Sequence, residues 1–173
     1  IILSDFSELN RRMSSYFKAN DKQDQALELK MKHYGLHTNE VADSYFIRAK
    51  ILYSIGRLES AETYNNKAYD IWTHIFDDER HPKIANAFVL SAQLDIENGN
   101  FKRARTSMDK AMASYEVSYP PEYPAVVFGI YVSGRAYMAA GMHRQAEKSF
   151  QRAHSISIST IGKYSTLAGL CSY

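Results

Sequence analysis

Histidines, a cysteine and clustered carboxylates are the groups from which this chain would have to build catalysis or a metal site. His33 and His37 stand four residues apart, with Glu40 close behind. On an unbroken helix that spacing puts both imidazoles on one face, where they could share a divalent metal. Gly35 lies between them and suits a helix end, so the spacing spans a break and no metal site is expected. His74, His81, His143 and His154 are scattered without a ligand pattern. Cys171 is the only cysteine. It has no identifiable catalytic partner and forms no internal disulfide, which fits a reducing compartment and a cytoplasmic location. Asp77, Asp78 and Glu79 fall in a stretch leading to Pro82 and read as a solvated linker. The sequence contains no Walker loop, no dinucleotide fingerprint and no nucleophile elbow. The residues therefore predict no catalytic group, no metal and no cofactor, and the chain reads as a non-enzyme.

Composition narrows the remaining classes. With 173 residues, 45% of them hydrophobic and 23% charged, the chain can bury a core and is not expected to be disordered. A formal net charge of +2 lacks the basic excess of a nucleic-acid binder. The densest basic clusters, Asn10-Arg11-Arg12 and Lys102-Arg103-Ala104-Arg105, read as solvated faces. No apolar run approaches the roughly 20 residues that span a membrane. Ile1-Ile2-Leu3 is too short and lacks the basic flank of a secretory signal. A chain that starts with Ile reads as a fragment whose neighbouring domains are missing.

Binding by a folded surface is what remains, and the punctuation of the sequence shows which elements would carry it. All four prolines fall in two stretches, at Pro82 and at Pro120, Pro121 and Pro124. Proline removes a backbone donor and belongs between helices or in their first turn, so the segments between these stretches are predicted helices. Sustained period-2 alternation and two-residue hairpin signals are missing, so strands are not expected. The helical segments repeat. Gly56, Gly99 and Gly141 are 43 and 42 residues apart. Alanines follow each glycine by five and twelve residues, at Ala61 and Ala68, Ala104 and Ala111, and Ala146 and Ala153. A small residue precedes each by seven, at Ala49, Ala92 and Gly134. Pro82 and Pro124 keep the same step of 42.

Each position has a physical reason. The glycine turns the chain between two antiparallel helices. The small residue before it and the first alanine after it let the two backbones approach, and the second alanine faces the next hairpin. Large residues fill the other seams: Tyr45, Ile51, Leu52, Tyr64, Ile71, Trp72 and Ile75 in one unit, and Ile130, Tyr137 and Phe150 in another. A degenerate copy precedes them, with Ser14 at the small position, Asp21 in place of the glycine, Ala26 at the first alanine position and His33 at the second. The expected organisation is a single array over residues 1–173. It comprises a degenerate repeat at about 3–38, repeats at 39–81, 82–123 and 124–160, and a capping or incomplete helix at 161–173.

This spacing resembles the tetratricopeptide repeat. The third full unit matches best, with Gly134, Tyr137, Gly141, Ala146, Phe150 and Ala153 at the signature positions. The longer period and the phrase His81-Pro82-Lys83-Ile84-Ala85 resemble the kinesin-light-chain variety; Ile161-Gly162-Lys163-Tyr164 is a faded version of that junction. The chain departs from the pattern in lacking the signature Trp, in placing Asn65 and Met108 at a usual aromatic, and in placing Arg48 and Ser91 at a usual leucine. The resemblance implies an all-α fold, a right-handed superhelical solenoid of antiparallel helix pairs. It implies an adaptor or scaffold whose concave groove, lined by the first helix of each pair, binds a peptide segment of a partner protein. By register the groove positions are Asp43, Phe46, Lys50 and Tyr53, then Asn86, Val89, Gln93 and Ile96, then Phe128, Tyr131, Arg135 and Met138, with Arg11, Ser15 and Lys18 from the degenerate copy. Cations among aromatics there suggest a partner segment of mixed acidic and apolar character. Two alternatives stay open: a regulatory sensor within a larger signalling protein, and self-association through an uncapped terminus.

Overall fold

The computed structural model describes residues 27–161, and every regular element among them is a helix. A helix over 27–34 (α1) is followed by α2 (Asn39–Ser54), α3 (Leu58–Ile75), α4 (Pro82–Glu97), α5 (Phe101–Ser118), α6 (Pro124–Ala139) and α7 (His143–Ile161). Arg11, Ser14, Ser15, Lys18, Asp21, Ala26, the Asn10-Arg11-Arg12 cluster, Cys171 and the segment 162–173 lie outside the described residues. The chain divides between Asp77 and Asp78 into two compact units. Unit one carries α1 to α3 and unit two carries α4 to α7. Within them α2 packs on α3, α4 on α5 and α6 on α7, as antiparallel hairpins.

The three hairpin turns share one construction. Gly56, Gly99 and Gly141 adopt φ of 77°, 76° and 73°, left-handed values that cost an L side chain about 1–2 kcal/mol. In that geometry the residue after the glycine reaches back to the helix it has just left. The Arg57 N–H donates to the Leu52 carbonyl at 2.9 Å, Asn100 to Asp95 at 2.7 Å and Met142 to Tyr137 at 2.9 Å. Carbonyls that the helix end would leave without partners are thereby satisfied. At the other end, Pro82 and Pro124 occupy the first turns of α4 and α6, where a missing N–H costs nothing. His81 caps α4, its Nδ1 accepting from the Lys83 N–H at 3.2 Å.

The small residues lie where the hairpins close. Ala49, Ala61, Ala68, Ala92, Ala104, Ala111, Ala146 and Ala153 have no exposed surface. Gly134 holds the position that Ala49 and Ala92 hold elsewhere, and its neighbour explains the difference. A Cβ there would stand 2.6 Å from the ring of Phe150. By repeat register the residues matching Phe150 are Asn65 and Met108, both buried and both slimmer at the contact. Where the second helix presents a ring, the first helix must lose its methyl.

Large residues fill what remains. In unit one Trp72 is buried and packs tilted against Phe46, ring centroids 5.4 Å apart. In unit two Tyr115 is buried and its hydroxyl donates to Asn86 Oδ1 at 2.5 Å, pinning α5 to α4. Burial, with Tyr119 adding to it, pushes the Tyr115 hydroxyl's pKa far up, so it remains a donor. The Ser114 hydroxyl donates to the Arg80 carbonyl, tying α5 to the chain before α4. Ile75, expected in a seam, is instead 38% exposed: it closes α3, beyond the last turn that α2 covers. Between α5 and α6 the rings of Tyr119 and Tyr123 stack 4.1 Å apart at 7°, over a turn closed by the Tyr123 N–H and the Pro120 carbonyl.

Candidate functional site

The first helices α2, α4 and α6 carry the expected groove residues, and each unit presents its own face. In unit one Lys50 is exposed and its ammonium lies 5.9 Å from the ring of Phe46. Phe46 is half-buried because its other side rests on Trp72. Asp43 and Tyr53 are half-buried on the same helix.

In unit two α4 and α6 lie side by side. Arg135 of α6 donates from Nη2 to Glu97 Oε1 of α4 at 2.8 Å, with both side chains partly exposed. This pair bridges the two first helices and occupies the guanidinium that the sequence suggested for a partner's carboxylate. Around it stand Gln93 and Ile96, half-buried, and Met138, 46% exposed. Further along α6, Phe128 is 36% exposed and lies 6.3 Å from Tyr131, whose other neighbour is Phe150 at 5.8 Å. Tyr131 is thus the base on which Phe128 stands.

Two expected groove residues point elsewhere. Val89 is 4% exposed and sits in the core cluster of unit two, because α4 is covered by both α5 and α6 and keeps only a narrow open strip. Asn86 is half-buried and its side-chain oxygen accepts the Tyr115 hydroxyl, so it belongs to the hairpin seam. The pairing of Arg135 with Glu97 had a signal in the sequence. Gln93 is the register equivalent of Arg135, 42 residues earlier, and Glu97 stands one helical turn beyond it.

The other candidate chemistry does not assemble. Gly35 has φ of 88° and ends α1, which takes His37 off the helix that carries His33. Among the described residues no group of three or more His, Cys, Asp or Glu side chains is placed to hold a metal. No described helix is long and apolar enough to cross a membrane. Asp78 accepts the Arg80 backbone N–H, and that bond, with the charges of Arg80 and His81, holds its carboxyl below the usual range in spite of slight desolvation.

Helical hairpins with a left-handed glycine turn and buried alanines define a class of helical-repeat protein, and comparison with known proteins shows which repeats they resemble. Residues 42–71, within the α2–α3 hairpin, match the family model of the tetratricopeptide repeat. The crystal structure of a kinesin light chain assignment from Podosopora anserina, described as having nearly identical TPR-like repeats, is similar over 95% of this chain and 79% of its own, with a TM-score of 0.71 and 17% identity. A single-substitution variant of that protein gives 0.72 at 18% identity, over 95% of this chain and 78% of its own. BtubC (BKLC) from P. vanneervenii gives 0.72 at 21% identity, over 93% of this chain and 64% of its own. No curated protein matches the chain in sequence. The fold is an all-α, tetratricopeptide-like helical solenoid, similar to kinesin-light-chain-like repeat structures.

Proposed function

We propose that the chain is a non-catalytic adaptor that binds a peptide segment of a partner protein along its first-helix faces. Repeats of this type generally mediate protein–protein interaction, and the single observation that carries the reading here is the open strip of unit two. Phe128 and Met138 expose large apolar surface on α6, and the adjoining α4 carries the half-buried amide of Gln93, on helices whose other faces are buried. Exposed apolar anchors flanked by hydrogen-bonding groups suit an extended peptide: the anchors supply affinity, and the amide pairs with the peptide backbone. The partner segment is read as apolar with an acidic element. Each unit is read by itself: the strip of unit two takes apolar residues, since Glu97 already neutralises Arg135, and the face of unit one takes an acidic residue at Lys50.

A peptide array probed with the intact chain, followed by fluorescence anisotropy on the captured sequences, tests this. Phe128→Ser with Met138→Ser is expected to weaken captured peptides at least about tenfold, the loss of two partly buried apolar anchors. Lys50→Glu is expected to weaken only those with an acidic residue, and their affinity should fall as salt rises. Peptides captured with undiminished affinity by the Ser double variant would overturn the reading.

A further inference from the structure

Unit one holds a recess that the first-helix faces do not use. Met31 of α1, Leu36 in the following turn, Tyr45 of α2 and Ile71 of α3 give it apolar walls, and its volume is about 760 Å³. Small-ligand and side-chain sites commonly span about 300–1,000 Å³ and combine such walls with a few placed polar groups. Lys67 supplies the first of these. Its ammonium is exposed and lies 5.0 Å from the ring of Tyr64 and 5.5 Å from that of Tyr45. Among the described residues it makes no ion pair. The Tyr45 hydroxyl is the second. Its contact is the Met31 sulfur at 4.0 Å, a weak acceptor that an oxygen would readily replace. His37 and His74 add ring N–H donors at the edge, and Asp70 is the one carboxylate of the lining.

The contrast with unit two decides the occupant. There the cation among aromatics, Arg135, is matched by Glu97. Here the cation is unmatched, and cationic and N–H donors outnumber the single acceptor charge. We propose that this recess binds a partner's peptide segment in which one acidic side chain stands beside a large apolar one. The apolar side chain enters between Met31, Tyr45 and Ile71. The carboxylate pairs with the Lys67 ammonium and accepts from the Tyr45 hydroxyl. Asp70 repels a second carboxylate, so the site takes segments with one acidic residue and not acidic runs.

The test uses the full 173-residue chain, labelled with nitrogen-15. The probes are acetyl-Leu-Asp-Phe-amide, its Lys counterpart and free 4-phenylbutyrate. The Asp peptide is expected to shift the amides of Leu36, Tyr45 and Ile71 saturably, and the Lys peptide to bind about fivefold more weakly, the size of one partly exposed charge pair. Lys67→Glu should cost the Asp peptide a similar factor, and Asp70→Asn should tighten it about twofold. Lys67→Met keeps the stem over the two rings and is expected to show a smaller loss in the same direction as Lys67→Glu, so a folding defect in one variant is recognised by the other. Equal affinity for the Asp and Lys peptides, or shifts confined to Gln93, Phe128 and Arg135, would overturn the proposal. So would tighter binding of phenylbutyrate than of the peptide, which would make the recess a site for free acids. Because the first-helix reading is tested on variants of α6 and this one on variants of α3, either can fail alone.

Discussion

Replacing Gly134 by Ala sets two opposed effects against each other, and the structure decides the winner. In a helix interior the exchange ordinarily gains about 1 kcal/mol, since Gly loses more backbone freedom on folding. Here the new methyl would lie 2.6, 2.8 and 3.0 Å from three carbons of the Phe150 ring. Those separations are far inside van der Waals contact, so the half-buried ring has to move, and moving it disturbs its packing on Tyr131 at 5.8 Å. Overpacking of this kind costs about 1–3 kcal/mol. The net expectation is a destabilisation of up to about 2 kcal/mol, opposite in sign to the propensity argument. Urea unfolding followed by far-ultraviolet dichroism measures it. Phe150→Leu removes the ring atoms that collide, so Gly134→Ala in the Leu background should recover the propensity gain. The double-mutant cycle should give a favourable coupling of about 1–3 kcal/mol, the whole overpacking cost, well above the scatter of independent sites. A stabilising Gly134→Ala, or two substitutions that merely add, would refute the claim that the ring dictates the glycine.

Three other outcomes are expected. His81 is held below the ordinary imidazole value of 6.5 by burial, with the Lys83 charge adding to it and Asp78 opposing it. The fold therefore disfavours the protonated ring. The contribution should be complete well above 6.5 and should be lost as the pH falls through 6.5 toward the lowered folded-state value. His81→Asn, which retains a capping acceptor without titrating, should flatten the urea midpoint over that range. Gly99→Ala should cost about 1 kcal/mol, since no atom lies within 4 Å of the added methyl and the penalty is purely the left-handed backbone; Gly99→Asn should cost less. Tyr115→Phe should lose about 1–2 kcal/mol by leaving Asn86 without its donor, and Asn86→Ala in the Phe background should cost less than it does alone.

What the sequence disclosed was governed by short-range rules. A glycine five residues before one alanine and twelve before another fixes a turn and two close approaches, and Gly56, Gly99 and Gly141 all take the left-handed conformation this demands. Pro82 and Pro124 stand at helix starts for an equally local reason. The candidate face was less legible, because register says which way a helix position points but not what stands opposite. Val89 has the register of a groove residue, yet α4 is enclosed by α5 and α6. Arg135 reads as a free guanidinium until Glu97, 38 residues away, is brought to 2.8 Å. Asn86 looks like a peptide clamp until the Tyr115 hydroxyl claims its oxygen. The recess of unit one was least legible of all: Lys67, Asp70, Ile71 and His74 share one face of α3 at helical spacing, but nothing in that spacing says that Met31 of α1 and His37 of the following turn close the other side.

Trp72 is the chain's single indole, and it is enclosed within unit one at 1% exposure. The flat pair Tyr119 and Tyr123 belongs to unit two. The indole is therefore an optical label of unit one that needs no chemistry to install. Its emission follows the melting of that part, while near-ultraviolet dichroism, to which the ordered tyrosines of both units contribute, follows the whole. Superimposed curves would describe a body that unfolds all at once, and separated curves a chain of domains each yielding at its own denaturant concentration, as nearest-neighbour arrays permit.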